Sequence, residues 1–138
     1  MATRFDEYNS SVIDEFRRSG GTVKGFGDRL ILLHHTGAKS GQERISPLLS
    51  LDDGPDTWLI VASKGGAPEH PAWFHNLRAN PEASIEAAGR GLVEVTASVL
   101  PSQQRDAAWS RFTAVSPAFA QYQATAQRVI PIVKLVAR

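Results

Sequence analysis

Between Arg29 and Ser63 three short segments rich in β-forming residues follow one another with only turns between them. Arg29 to Thr36 runs into Thr36-Gly37-Ala38-Lys39-Ser40-Gly41, and Gln42 to Leu51 runs into Asp52-Asp53-Gly54-Pro55-Asp56. Thr57 to Ser63 completes the set. Parallel neighbours need a crossover of about a dozen residues or more, so turns this short dictate mainly antiparallel pairing and exclude a βαβ fold. Glu82 to Ala88 and Leu92 to Leu100 flank Gly89-Arg90-Gly91 as a hairpin, and Ile130 to Val136 reads as a last strand. Six short strands with polar turns suit a small, largely antiparallel barrel, an α+β fold that is mainly β, with helices plugging or capping its openings.

The helices are legible from spacing. Phe5, Tyr8, Val12, Ile13 and Phe16 recur at three- and four-residue steps, which predicts an amphipathic helix within 1–19 that Gly20 and Gly21 end. Its apolar face suits either packing on the barrel or rest on a membrane surface. Pro71 opens a helix carrying Trp73, Phe74 and Leu77, which Asn80-Pro81 ends. Ser102 is expected to cap a helix to about Ala114, and Pro117 to open a shorter one to about Thr125. With neither repeat nor linker in its 138 residues, the chain is expected to form one domain over 1–138.

Charge and composition narrow the chemistry. Fifteen Lys+Arg against 14 Asp+Glu leave a net charge of +1, too small a field to gather nucleic acid. No cysteine is present, which excludes disulfide scaffolds, thiolate nucleophiles and iron–sulfur clusters. The polar first 19 residues lack the apolar core of a signal peptide, so a cytoplasmic protein is expected, at most peripheral at the inner face of a membrane.

Several constellations fail on inspection. Gly25-Phe26-Gly27 begins like a dinucleotide fingerprint, but Leu30 breaks it and a strand follows. Gly37-Ala38-Lys39-Ser40 has Ala38 where a phosphate loop needs glycine. His34 and His35 are adjacent in a strand, so they face opposite sides and cannot chelate one ion; no metal site is expected. No serine lies in a Gly-x-Ser-x-Gly elbow. What remains is Lys39 in the glycine-rich turn, Arg44 opening the next strand, and Lys64 in Ser63-Lys64-Gly65-Gly66. Neighbouring second and third strands would bring all three to one end of the barrel as an anion site. They equally fit solvated loop cations and a weak surface ion pair. Trp73, Phe74 and Tyr122 suit the walls of a slot for a planar ring, or simply core.

Three ordered blocks then carry a resemblance: Thr36-Gly37-Ala38-Lys39-Ser40-Gly41-Gln42-Glu43-Arg44, Val61-Ala62-Ser63-Lys64-Gly65-Gly66, and the run from His70 to Pro81. Together they resemble the deazaflavin-dependent nitroreductase and quinone reductase family, split β-barrel oxidoreductases that bind coenzyme F420. The resemblance implies that Lys39, Ser40, Arg44 and Lys64 hold the coenzyme's phosphate and oligoglutamate tail. Ile45, Ser46, Pro47, Leu48 and Leu49 would line the coenzyme with Val61, Ala62 and Ser63, and Ala72, Trp73, Phe74, His75 and Asn76 would close over it. Hydride would pass from reduced F420 to a quinone or similar electrophile, with nitroaromatic reduction incidental. Tyr122 is the candidate for positioning that acceptor. Two departures stand out: Phe119 lacks a hydroxyl beside Tyr122, and His34-His35 stand where small hydroxyl residues are common in the family. The alternatives are a split barrel using FMN, whose short tail needs fewer spread cations, and a non-catalytic carrier of a deazaflavin or lipid.

Overall fold

The computed structural model describes residues 4–138, with side chains from Glu7 onward. Strands β1 (Leu30–Thr36), β2 (Glu43–Asp52), β3 (Thr57–Val61), β4 (Glu82–Ala87), β5 (Gly91–Val99) and β6 (Ile132–Ala137) form a closed barrel in the order β1-β2-β3-β6-β5-β4. Every pairing is antiparallel. Helices α1 (Arg4–Ser19), α2 (Ala72–Ala79), α3 (Ser102–Val115) and α4 (Ala118–Ala126) surround or plug it.

Alternation along the strands builds two layers of core. Ile31, Leu33, Ile60, Ile85, Val95, Val133 and Leu135 point inward and meet Trp73, Phe74 and Leu77, so α2 is the plug of the barrel. On the outside of β1, Leu30 and Leu32 are covered by Val12 and Phe16 of α1. Leu59, Val61 and Ile132 are covered by Ala108 and Phe112 of α3 and by Phe119 and Ala126 of α4. Burial on both faces explains why the first four residues of β1 are all buried.

The packing of α1 supports the first of its two readings, a face laid on the barrel. Val12 and Phe16 are buried against the barrel, and Arg17 clamps Glu86 of β4 through two hydrogen bonds of 3.2 and 2.8 Å. Tyr8 stays exposed, and the side chain of Phe5 lies outside the described residues. Among the described residues no helix is long and apolar enough to cross a membrane.

Proline explains most boundary differences from the sequence expectation. Pro101, not Ser102, is the N-cap of α3: its extended backbone presents a carbonyl that accepts from Arg105 N–H at 2.8 Å. Pro71 and Pro117 likewise flank α2 and α4 instead of entering them. Strand β6 starts at Ile132, after Pro131. Strand β3 stops at Val61, because a 3₁₀ turn over Lys64–Gly66 follows.

One seam of the barrel is incomplete. Strand β2 pairs with β1 along Glu43–Leu49, but with β3 only through Ser50–Asp52 against Trp58–Ile60. Ser50 N–H donates to Arg29 O on the β1 side, so alternation turns the backbone of Leu49, Pro47 and Ile45 toward β3. Pro47 has no N–H to offer there, which favours parting of the two strands. Beyond that point Ala62 N–H turns to Pro131 O instead. The result is a split beside five consecutive half-buried residues, Ile45, Ser46, Pro47, Leu48 and Leu49.

Candidate functional site

The split opens at the end of the barrel that carries the β1–β2 turn. Because β3 runs antiparallel to β2, its exit lies at the same end, so Lys39, Arg44 and Lys64 share that end. Lys39, Ser40 and Arg44 are exposed. Among the described residues neither Lys39 nor Arg44 has a carboxylate partner. Lys64 differs: its Nζ lies 2.9 Å from Glu69 Oε1, an ion pair between half-exposed side chains. That contact holds the Glu69 carboxyl below the usual carboxylate range.

The turn bearing Lys39 is held from beneath. Gly37 N–H donates to Gln42 O and Gly41 N–H to Gly37 O, both at 2.9 Å, which closes the loop on itself. Ala38 N–H donates to Asn76 Oδ1 at 2.9 Å, docking the turn on α2. The other end of the Asn76 amide meets His35 Nδ1 at 2.9 Å, and His35 Nε2 meets Ser46 Oγ at 2.9 Å. His35 thus faces inward while His34 faces outward to Glu43 and Glu86, the opposed arrangement expected of neighbours in a strand. Burial, with Arg44 and His34 nearby, pushes the His35 pKa down to about 4.

The loop after β3 is held by a residue with no local signal in the sequence. Arg128 donates to the carbonyls of Ala62, Ser63, Ala67 and Glu69 and to His70 Nδ1, all at 2.9–3.2 Å. Burial first, then the nearby Arg128 charge, lowers the His70 pKa. Gly66 lets α4 approach closely: it has φ +87°, and a Cβ there would stand 3.0 Å from Tyr122 Cα. Tyr122 is half-buried, its ring edge-on to Phe119 at 5.8 Å.

The segment 72–76 is less open than a covering flap. Trp73 and Phe74 are 7% and 3% exposed and belong to the barrel core, while Ala72 and His75 are exposed. Asn76 is buried, its amide engaged by Ala38 and His35. Val61 and Ala62 are buried and Ser63 is half-buried at the mouth of the loop. At the far end of the barrel lies a cavity of about 240 Å³ lined by Asp28, Asp52, Asp56 and Arg90. Three carboxylates make that cavity a poor seat for an acidic ligand, whereas two unpartnered cations beside an unpaired strand edge suit one.

Comparison with known proteins gives this geometry its context. The sequence profile of the F420H(2)-dependent quinone reductase family matches residues 10–137. An F420H(2)-dependent quinone reductase of Mycobacterium tuberculosis is 42% identical over 113 residues, covering 78% of this chain and 73% of that protein. The solved structure of an F420-H2 dependent reductase superposes with a TM-score of 0.69 at 36% identity, covering 78% of this chain and 93% of that one. General stress protein 26 of Bacillus anthracis shares the fold alone, with a TM-score of 0.56 at 9% identity over 98% of this chain and 90% of its own. With nearly its whole length matched, the chain belongs to the F420H(2)-dependent quinone reductase family, oxidoreductases that use the deazaflavin coenzyme F420.

Proposed function

We propose that this chain reduces quinones with F420H2 bound along the split between β2 and the loop after β3. The observation that carries the reading is the pair of exposed cations, Lys39 and Arg44, without carboxylate partners among the described residues, at the start of the stretch of β2 that β3 leaves unpaired. Lys39 and Arg44 would hold the acidic tail of the coenzyme, with Ser40 as a further donor in the turn. Lys64 would join them by exchanging Glu69 for a phosphate or carboxylate of the tail. The half-buried stretch Ile45, Ser46, Pro47, Leu48 and Leu49, with Ser63, would line the ring along the strand edge that β3 leaves unpaired and keep water from it.

Charge-assisted hydrogen bonds contribute roughly 1.5–3 kcal/mol each, and micromolar affinity needs about 8 kcal/mol. Three cations and a partly buried ring meet that requirement after ordering costs. The separation of the cations along the chain fits a long acidic tail better than the single phosphate of FMN.

Reduced F420 supplies the hydride when bound, so no side chain has to act as nucleophile or metal ligand. The protein's part is to grip the tail, present the ring at the open split and leave room for a flat acceptor beside Tyr122. Such a loosely defined acceptor site also admits nitroaromatics, whose reduction would be incidental. Membrane contact is left without support, since Val12 and Phe16 of α1 lie against the barrel.

The test is a coupled assay. Mixing the protein with reduced F420 and a panel of quinones should change the coenzyme's absorbance and fluorescence at a rate proportional to enzyme. Tight F420 binding without quinone-dependent oxidation would reassign the chain as a carrier.

A further inference from the structure

His35 stands outside the coenzyme contacts proposed above, yet it ties two of the segments that supply them, the Lys39 turn and β2, to helix α2. Its two ring nitrogens meet Asn76 of α2 and Ser46 of β2, each at 2.9 Å, and Asn76 in turn meets Ala38 of the Lys39 turn. A backbone N–H can only donate, so Asn76 Oδ1 faces Ala38 and its NH2 faces His35. His35 Nδ1 is therefore an acceptor, and the proton of the neutral ring sits on Nε2, donated to Ser46 Oγ. Ser46 Oγ makes no other hydrogen bond among the described residues, so its own hydrogen remains available. Ser46 is half-buried within the stretch of β2 that has no β3 partner.

Every donor in this chain points the same way, Ala38 to Asn76, Asn76 to His35 and His35 to Ser46, which leaves the Ser46 hydroxyl hydrogen as the one without a partner among the described residues. Aligned hydrogen bonds polarise one another, which strengthens the last donor. Burial keeps His35 neutral, the only state in which Nδ1 can accept from Asn76.

We propose that His35 is a positioning residue of the coenzyme site. Through Nε2–H it commits the Ser46 hydroxyl to donate to an acceptor atom of bound F420. Through Asn76 it sets the height of the turn that carries Lys39. The inference rests on the coenzyme reading of the split.

The test combines binding and spectroscopy on the full chain. F420 is titrated into the native protein, His35→Ala, Ser46→Ala, the double variant and His35→Gln, with coenzyme fluorescence as the signal. The two single variants should each weaken binding about five- to tenfold, and the double variant no more than the weaker single. His35→Gln, whose amide N–H can replace Nε2–H, should recover part of the loss. Long-range ¹H–¹⁵N spectra of the coenzyme-free native chain should show His35 as the Nε2–H tautomer, with a shift that Ser46→Ala moves.

Native F420 binding with a folded, unaffected His35→Ala, or with losses that multiply in the double variant, overturns the inference and leaves the coenzyme reading intact. So does an Nδ1–H tautomer, which remains readable if His35→Ala fails to fold. A native chain that does not bind F420 overturns the coenzyme reading, and this inference with it.

Discussion

The guanidinium of Arg128 stands 2.9 Å from His70 Nδ1 and, as an obligate donor, fixes that imidazole with its proton on Nε2. The remaining donors reach four backbone carbonyls between Ala62 and Glu69, so one side chain from the α4–β6 connection holds the whole loop that carries Lys64. A planar fork can serve diverging acceptors that a lysine ammonium cannot.

Arg128→Lys should therefore lower stability by about 2 kcal/mol, even though the charge is kept. Hydrogen–deuterium exchange should accelerate selectively over 62–70. Native-like protection of that loop in the variant would show that other contacts hold it.

Stability should fall as pH falls from about 6.5 to about 4. Over that window the unfolded chain takes up a proton at His35 while the folded chain, whose His35 pKa lies at about 4, does not. The unfolded state binds more protons, so acid favours it, by roughly 2–3 kcal/mol across the window. Glu86 adds to the loss at the acid end, because its hydrogen bond with Arg17 holds its pKa below the usual carboxylate value. Chemical unfolding at a series of pH values should show this slope in the native chain and a flatter one in His35→Gln.

Lys39→Ala combined with Arg44→Ala should weaken F420 binding at least tenfold while leaving the thermal midpoint close to native. Neither cation has a protein partner among the described residues to lose. Added salt should weaken binding to the native chain more than to the double variant, since exposed charge–charge attraction is screened. Unchanged titrations would move the tail elsewhere.

Tyr122→Phe should change quinone kinetics more than F420 affinity. Its ring packs on Phe119 and its backbone on Gly66, so loss of the hydroxyl leaves the packing in place. Steady-state rates over several quinones, set beside a coenzyme titration, separate the two effects. Equal changes in both would put Tyr122 in the coenzyme pocket.

Trp73→Ala should cost about 3–5 kcal/mol of stability, the toll for emptying a large core position. The side chain is 7% exposed inside the barrel, so the variant should melt well below the native chain. A loss of F420 affinity without a fall in melting temperature would give Trp73 a direct role at the ligand.

Much of this architecture was written in local pattern. Runs of β-forming residues bounded by turns mark all six strands to within two residues, β4 and β5 by plain alternation, and short turns force their antiparallel sense. The same alternation put His34 and His35 on opposite faces. Three- and four-residue spacing marks α1 and α2, and the blocks around Lys39, Lys64 and Trp73 carry the family resemblance. All of these signals lie within a few residues of one another, where covalent geometry alone relates side chain to side chain.

The third dimension settled the rest, because it depends on which distant segments meet. Asn76 finds His35 and Ala38 across 41 and 38 residues, and Arg128 finds its loop across 58 to 66. Barrel closure buried Trp73 and Phe74 in the core, one of the two readings their spacing left open, and it brought α1 down on β1 through Val12 and Phe16. Pro47 is plain in the chain, but parting of β2 from β3 needed both strands in place. Periodicity reports the face a residue turns; only packing of remote segments decides what waits on that face.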